Sequence, residues 1–305
     1  MIVGIENLEY KYPPWGIAFT VKMDMVPDAN QAIVQLWNLS RHTIRQLKRG
    51  QVVKLWAGYE EDEVGLCFAG VIDKISVKYQ DVDKILTLTV LDQKDSVLAR
   101  RPNKSWPPGT PYGVVVEDLF NMAGLKVGAI EVQGTYDKGI VFDPKHSIKK
   151  ALDEVAKSAE YKAGKPYQWW VDQGYGYFVP RDWKGMGKAV VLTPETGLIE
   201  QPEPLTEIPE EIAGEDVAPR QWRVRSVFNF RVAPGWVVEV DCKRFKGRLK
   251  VVSLQHICTP KEKFETDMVC DELEVSLIDY DYMAGDERMK PPLPGLEEEE
   301  GGESE

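Results

Sequence analysis

The chain has 305 residues, of which 43% are hydrophobic and 29% are charged, and its formal net charge is −11. These values are typical of a globular protein with two or three domains, and the acidic balance argues against a dedicated nucleic-acid binder. No apolar run approaches the roughly 20 residues of a membrane helix, and the N-terminus has no basic region followed by an apolar core. We therefore expect a chain that has no membrane-spanning segment and folds in a cytoplasm.

Residues 1–100 predict one antiparallel β domain that carries one short helix. Residues 16–25 alternate between apolar and polar side chains, which is the period of a half-buried strand. Further apolar runs predict strands at 32–37, 52–59, 64–77 and 85–91. Between the first two of these runs, Ser40 is placed to cap a helix that stops at Gly50.

Residues 101–220 predict a mixed α and β middle region. Its first helix is expected to begin with Thr110 as the cap and to end at Gly124, and its second helix to begin at Ser147. The residues from Tyr167 to Val179 then predict a β-hairpin that turns at Gln173 and Gly174. The region ends in a segment rich in proline and glutamate, residues 194–219, which has no convincing period and is interpreted as an exposed excursion.

Residues 221–283 predict a second β domain, and residues 284–305 an acidic tail. A strand is expected from Trp222 to Val232, and the apolar period slips by one residue near Asp271, which predicts a β-bulge there. The last nine residues contain six glutamates, so the tail lacks the apolar surface that it needs to fold alone.

The sequence offers little that indicates catalysis or metal binding. His42, His146 and His256 fit no paired-histidine or HExxH spacing, and no phosphate-binding glycine loop is present. The cysteines form no CxxC pair and are expected to be buried free thiols; they are Cys67, Cys242, Cys258 and Cys270. We therefore expect no catalytic residue, no metal site and no cofactor.

Basic side chains near the C-terminus are the candidates for a partner or subunit interface. Three arginines share one face of the strand that starts at Trp222, and a basic turn follows further along the chain. Such groups can contact DNA phosphates, an acidic patch on a protein, or water alone, and the acidic balance of the chain favours a protein. The candidates are Arg223, Arg225, Arg231, Lys243, Arg244, Lys246 and Arg248.

The aromatic hairpin leaves two other functions open. The rings of Trp169, Trp170, Tyr175 and Tyr177 can stack on sugars, or they can pack against one another across the two strands. Sugar stacking would suit a tail-associated enzyme that degrades peptidoglycan, or a module that binds glycans.

The order of the elements resembles the baseplate hub, or tail hub, proteins of tailed bacteriophages and contractile injection systems. The resemblance covers residues 10–282, including the helix from Ser147 and the hairpin after it. It is carried by AIVQLWNLS at 32–40, GQVVKLWAGY at 50–59, FAGVI at 68–72, GRLKVVSLQH at 247–256 and FETDM at 264–268.

The resemblance implies an α+β, mainly β fold with two antiparallel barrel domains like those of the tail tube, separated by the mixed middle region. It also implies a noncatalytic virion protein that is assembled in the host cytoplasm and located in the tail baseplate. The implied assembly is a homotrimer that joins a sixfold tail tube to a threefold spike. Its expected partners are the tail-tube protein, the trimeric spike protein and other baseplate proteins, with DNA only as transient cargo in the channel.

Overall fold

The computed structural model describes residues 1–26, 28–59, 63–92, 97–143, 145–205 and 220–277. Strands dominate this part of the chain, and most of their pairings are antiparallel. The predicted α+β, mainly β fold is therefore confirmed. The acidic tail and the second half of the proline-rich segment, residues 206–219, lie outside the described residues.

The first module consists of seven strands and a short helix, α1 (Arg41–Gln46), which the Ser40 side chain caps as predicted. Its sheet order is β3-β4-β7-β6-β5-β1-β2, and the alternating apolar residues of each central strand face the core. The strands are β1 (Ile2–Ile5), β2 (Leu8–Lys11), β3 (Ile17–Asp24), β4 (Gln31–Trp37), β5 (Val52–Ala57), β6 (Gly65–Gln80) and β7 (Asp83–Leu91).

The middle region has its own core, built by two helices against a three-stranded sheet of order β11-β12-β9. Ser147 caps the second helix and Gly124 ends the first as predicted, whereas the predicted cap of the first helix, Thr110, is wrong. Pro111 occupies its cap position, and the Thr110 hydroxyl instead donates a hydrogen bond to the Pro107 carbonyl at 2.7 Å. The elements are β8 (Ser105–Trp106), α2 (Tyr112–Ala123), β9 (Lys126–Ile130), β10 (Ile140–Val141), α3 (Ile148–Ala163), β11 (Tyr167–Asp172) and β12 (Tyr175–Pro180).

The second module has the sheet order β14-β15-β18-β17-β16-β13. Two of its strands come from residues that the sequence assigned to the middle region, because their hydrogen bonds lead into this sheet. The register of the last hairpin leaves Leu273 unpaired, so the bulge predicted near Asp271 is confirmed. The strands are β13 (Met186–Leu192), β14 (Glu203–Pro204), β15 (Gln221–Val227), β16 (Trp236–Cys242), β17 (Phe245–Thr259) and β18 (Lys263–Leu277).

The two modules repeat one topology, since the order β3-β4-β7-β6-β5-β1 matches β14-β15-β18-β17-β16-β13. Equivalent long strands, β6 and β17, each carry a one-residue bulge, at Asp73 and Val252. Equivalent glycines with positive φ, Gly50 and Gly235, each donate a backbone hydrogen bond of 2.8 Å to the strand residue before that bulge. The repeat is not complete, because β13 runs parallel to β16 whereas β1 runs antiparallel to β5.

The two modules are joined edge to edge rather than standing apart as separate barrels. Residues Ser253–Cys258 of β17 pair with Phe19–Asp24 of β3, which produces one 13-stranded sheet. Buried side chains of both modules also belong to one continuous hydrophobic cluster. We call this contact the internal joint.

Candidate assembly interfaces

Two of the predicted interface arginines lie on the outer face of β15, opposite the buried Trp222. The Nε of Arg223 donates to Asp267 Oδ1 at 3.0 Å, and the Nη2 of Arg225 donates to Glu265 Oε2 at 3.0 Å. These bonds raise the pKa of both guanidinium groups, because they stabilise the charged form. Both arginines are therefore neutralised within the chain by the neighbouring strand β18.

Arg231 belongs to the internal joint and not to the arginine face. The predicted strand beyond Val227 is wrong, because β15 ends there and Arg231 follows in the connecting loop. Its Nη2 lies 3.3 Å from Glu63 Oε2 of the first module, and its guanidinium lies 4.6 Å from the Phe230 ring centroid. Gly65 of the first module packs so tightly on that ring that a Cβ there would lie 2.0 Å from it.

The basic turn between β16 and β17 divides into paired and unpaired side chains. Lys246 Nζ lies 2.7 Å from Asp241 Oδ2, and Arg248 faces acidic residues of β16 and β18 in the strand register. Lys243 and Arg244 are exposed and form no ion pair with any residue that the structure describes. Among the seven candidates, these two are the cations best placed to meet a partner.

The outer face of the central strands carries a feature that the sequence analysis missed. Two adjacent rows of uncharged side chains cross the sheet there, and we call them the neutral belt. Two exposed lysines, Lys22 of β3 and Lys74 of β6, border the belt. The opposite face of the same strands is buried in the core. The first row, on β17, β3, β4 and β7, is Ile257, Thr20, Ile33 and Thr89, and the second row, on β3, β4, β7 and β6, is Ala18, Gln35, Thr87 and Ser76.

A buried histidine lies in β17 at the internal joint. His256 is fully buried, its Nδ1 lies 2.9 Å from the Thr266 hydroxyl, and its ring packs 5.0 Å from the Phe228 ring. Its Nε2 has no hydrogen-bond partner among the described residues. Burial lowers the pKa of His256 to about 3, because no charged group compensates the loss of water.

A buried lysine attaches the middle region to the second module. Lys250 is 3% exposed, and its Nζ donates to the carbonyls of Arg181 at 3.2 Å and Trp183 at 3.1 Å. Burial lowers the pKa of Lys250, although Asp271, 3.9 Å away, opposes that shift. The contact fixes the segment after β12 against β17.

The aromatic hairpin does not present a sugar-stacking face. Trp169, Trp170 and Tyr177 are buried, and only Tyr175 is substantially exposed. Trp170 stacks on Tyr177 with ring centroids 4.7 Å apart and planes 7° apart. The rings therefore form core contacts, which was the simpler of the two interpretations.

Neither a metal-binding cluster nor a membrane helix occurs in the described part of the chain. These residues contain no group of three or more histidine, cysteine, aspartate or glutamate side chains that could hold a metal ion. Among the helices of the described ranges, none is long and apolar enough to cross a membrane.

No protein-family profile matches the sequence, and no curated protein matches it significantly. Solved structures do match over 89% of the chain. A tail protein of prophage MuSo2 from Shewanella oneidensis has a TM-score of 0.60 at 9% identity, with 97% of its own chain covered. A tail protein from Neisseria meningitidis MC58 has a TM-score of 0.61 at 10% identity, with 95% covered.

A third structure is a component of the type VI secretion system of E. coli, described as similar to two tail proteins of bacteriophage T4. It has a TM-score of 0.57 at 8% identity, with 76% of its chain covered. At such low identity these similarities concern the fold. The chain therefore has the fold of phage tail proteins, as its resemblance to tail hub proteins predicted.

Proposed function

We propose that the protein is a noncatalytic structural component of a phage-type tail: a trimeric hub that joins a sixfold tube to a threefold spike. The observation that carries this proposal is the repeated strand order of the two modules within one sheet. Three copies of such a chain present six similar units around one axis, so the same ring can match either symmetry. The tail-protein fold is consistent with this role.

The proposed partners follow from that position in the assembly. They are two further copies of the chain, the tail-tube protein on one side, the trimeric spike protein on the other and additional baseplate proteins around the ring. The exposed Lys243 and Arg244 are candidates for contacts with an acidic neighbour. The protein would assemble in the host cytoplasm and reside in the virion baseplate.

The neutral belt suits the wall of a channel through which DNA passes. DNA affinity depends mainly on cations that neutralise phosphates, so a wall with few cations holds a duplex only weakly. Two arginines on the same face, Arg223 and Arg225, are already paired with carboxylates. The exposed Lys22 and Lys74 at the border of the belt are its nearest lysines. We assign the outer face of β17, β3, β4 and β7 to the proposed lumen.

Two lysines placed in the neutral belt are expected to make the ring bind DNA. The double variant Thr20→Lys and Thr89→Lys adds about six cations to the lumen of a trimer and should bind duplex DNA with a steep salt dependence. The measurement is fluorescence anisotropy at several salt concentrations.

The matched control is Val141→Lys with Tyr161→Lys, which adds the same charge at exposed positions of the middle region. Equal DNA affinity in both double variants would contradict the assignment of the belt to the lumen.

Native mass spectrometry of the full chain tests the proposed assembly. The expected species contains three copies of the 34.6 kDa chain. A closed complex of two, four or six copies would contradict the proposal, because those numbers do not place six modules around a threefold axis.

A further inference from the structure

One half of strand β6 has an open edge. Its first residues, Gly65–Val71, pair with β5, and its later residues, Val71–Gln80, pair with β7. Beyond the bulge at Asp73, no strand in the described part of the chain lies on the edge that turns away from β7. The backbone groups along Lys74–Gln80 on that edge are therefore available to a further strand.

The equivalent edge in the second module is occupied. Aligning the bulges at Asp73 and Val252 makes Lys74–Gln80 equivalent to Ser253–Thr259 of β17. That stretch of β17 pairs with β3 at the internal joint.

The strand equivalent to β3 in the second module is β14. Glu203 of β14 pairs with Arg223 of β15, in the same register as Thr20 of β3 with Ile33 of β4. Backbone hydrogen bonds from Ile199 and Leu205 to β15 extend this edge on both sides of Glu203. No described strand covers the other side of β14.

We propose that the open edge of β6 binds β14 of a second copy of the chain in antiparallel register and thereby repeats the internal joint between subunits. The inference deepens the proposed function and rests on it for the number of copies, three. Each chain then contributes one open β6 edge and one β14 edge, so the contact runs head to tail and closes into a ring. Glu203 is equivalent to Thr20, and Lys78 is equivalent to Ile257. Because Thr20 pairs with Ile257 within the chain, Glu203 is expected to lie opposite Lys78 between subunits.

Side-chain exposure supports this occupant. Val77 and Tyr79 of β6 are 37% and 71% exposed, whereas their equivalents in β17, His256 and Cys258, are fully buried. A strand added at this edge would cover them as β3 covers its neighbours. The predicted pair of Glu203 with Lys78 also places opposite charges directly across the strands, which favours this register.

The basic turn fits the same arrangement. In the internal joint, the turn between β5 and β6 reaches the tip of the β17–β18 hairpin, where the Tyr59 hydroxyl donates to the Phe264 carbonyl at 3.3 Å. The equivalent turn of the second module carries Lys243 and Arg244. Between subunits it would reach the tip of the β6–β7 hairpin, which carries Asp81.

A disulfide between paired cysteine variants tests the register. Glu203→Cys and Lys78→Cys are introduced together into the full chain, in a Cys242→Ser background because the other native cysteines are buried. Directly opposed residues of antiparallel strands lie within reach of a disulfide after oxidation with diamide. The expected products on denaturing gels are covalent dimers and trimers that disappear on reduction.

The matched control joins Glu203→Cys to Lys157→Cys, an exposed position of α3 away from β6, and should remain monomeric on the same gels. Native mass spectrometry can show a trimer while the test variant cross-links no more than the control does. That result would overturn the β6–β14 contact and leave the proposed trimer intact. A chain that stays monomeric at all concentrations and forms no cross-link would overturn both.

Discussion

Acidification from about pH 6.5 to about pH 4.5 is expected to lower the free energy of unfolding by about 2 kcal/mol through His256 alone. Burial lowers the pKa of this histidine from 6.5 to about 3 in the folded chain. Below about pH 6.5 the unfolded chain therefore binds a proton that the folded chain binds only below about pH 3. The contribution is fully present above the unfolded pKa and is lost progressively as the pH falls through that window.

Urea unfolding at three pH values measures this effect. His256→Met keeps a side chain of similar volume without a titrating group, so its unfolding free energy should fall less steeply with acid. The expected difference in slope is about 1 kcal/mol per pH unit between about pH 6 and about pH 4. Carboxylates titrate in both the wild-type protein and the variant, so their contribution cancels in the comparison. Equal slopes of unfolding free energy against pH would show that His256 accepts a proton while the chain is folded.

Gly65→Ala is expected to destabilise the chain by about 1–3 kcal/mol, because it overpacks the internal joint. The new Cβ would lie 2.0 Å from the Phe230 ring, so the ring must leave its place beside Arg231. The variant therefore strains a contact between the two modules at the internal joint.

A double-mutant cycle with Phe230→Ala separates this strain from other effects of the substitution. Removing the ring makes room for the Cβ, so Gly65→Ala should cost less than about 0.5 kcal/mol in the Phe230→Ala background. The measurement is the midpoint of urea unfolding for all four proteins. Additive costs would show that the destabilisation does not arise at the joint.

Features that depend on neighbouring residues were predictable from the sequence. Ser147 caps α3 and Gly124 ends α2 in a left-handed conformation, because capping chemistry is local. The hairpin of β11 and β12 could be predicted from its strand-forming residues and its Gln173-Gly174 turn. The bulge near Asp271 was readable because a bulge shifts the apolar period by one residue.

Features that depend on distant pairings were not predictable. The pairing of β17 with β3 joins strands from opposite ends of the chain, and no local pattern specifies it. The two-residue strand β14 lies in a proline-rich segment and is defined by its pairing with β15, so the sequence alone did not predict it. The arginine face was visible as alternation, but its neutralisation by Asp267 and Glu265 required the strand register.

Image reconstruction of the purified ring by cryo-electron microscopy shows directly how many modules surround the channel. We expect three chains that form a closed annulus of six similar β modules, with the neutral belt facing the central channel. An annulus in which only three β modules, one from each chain, surround the channel would contradict this expectation.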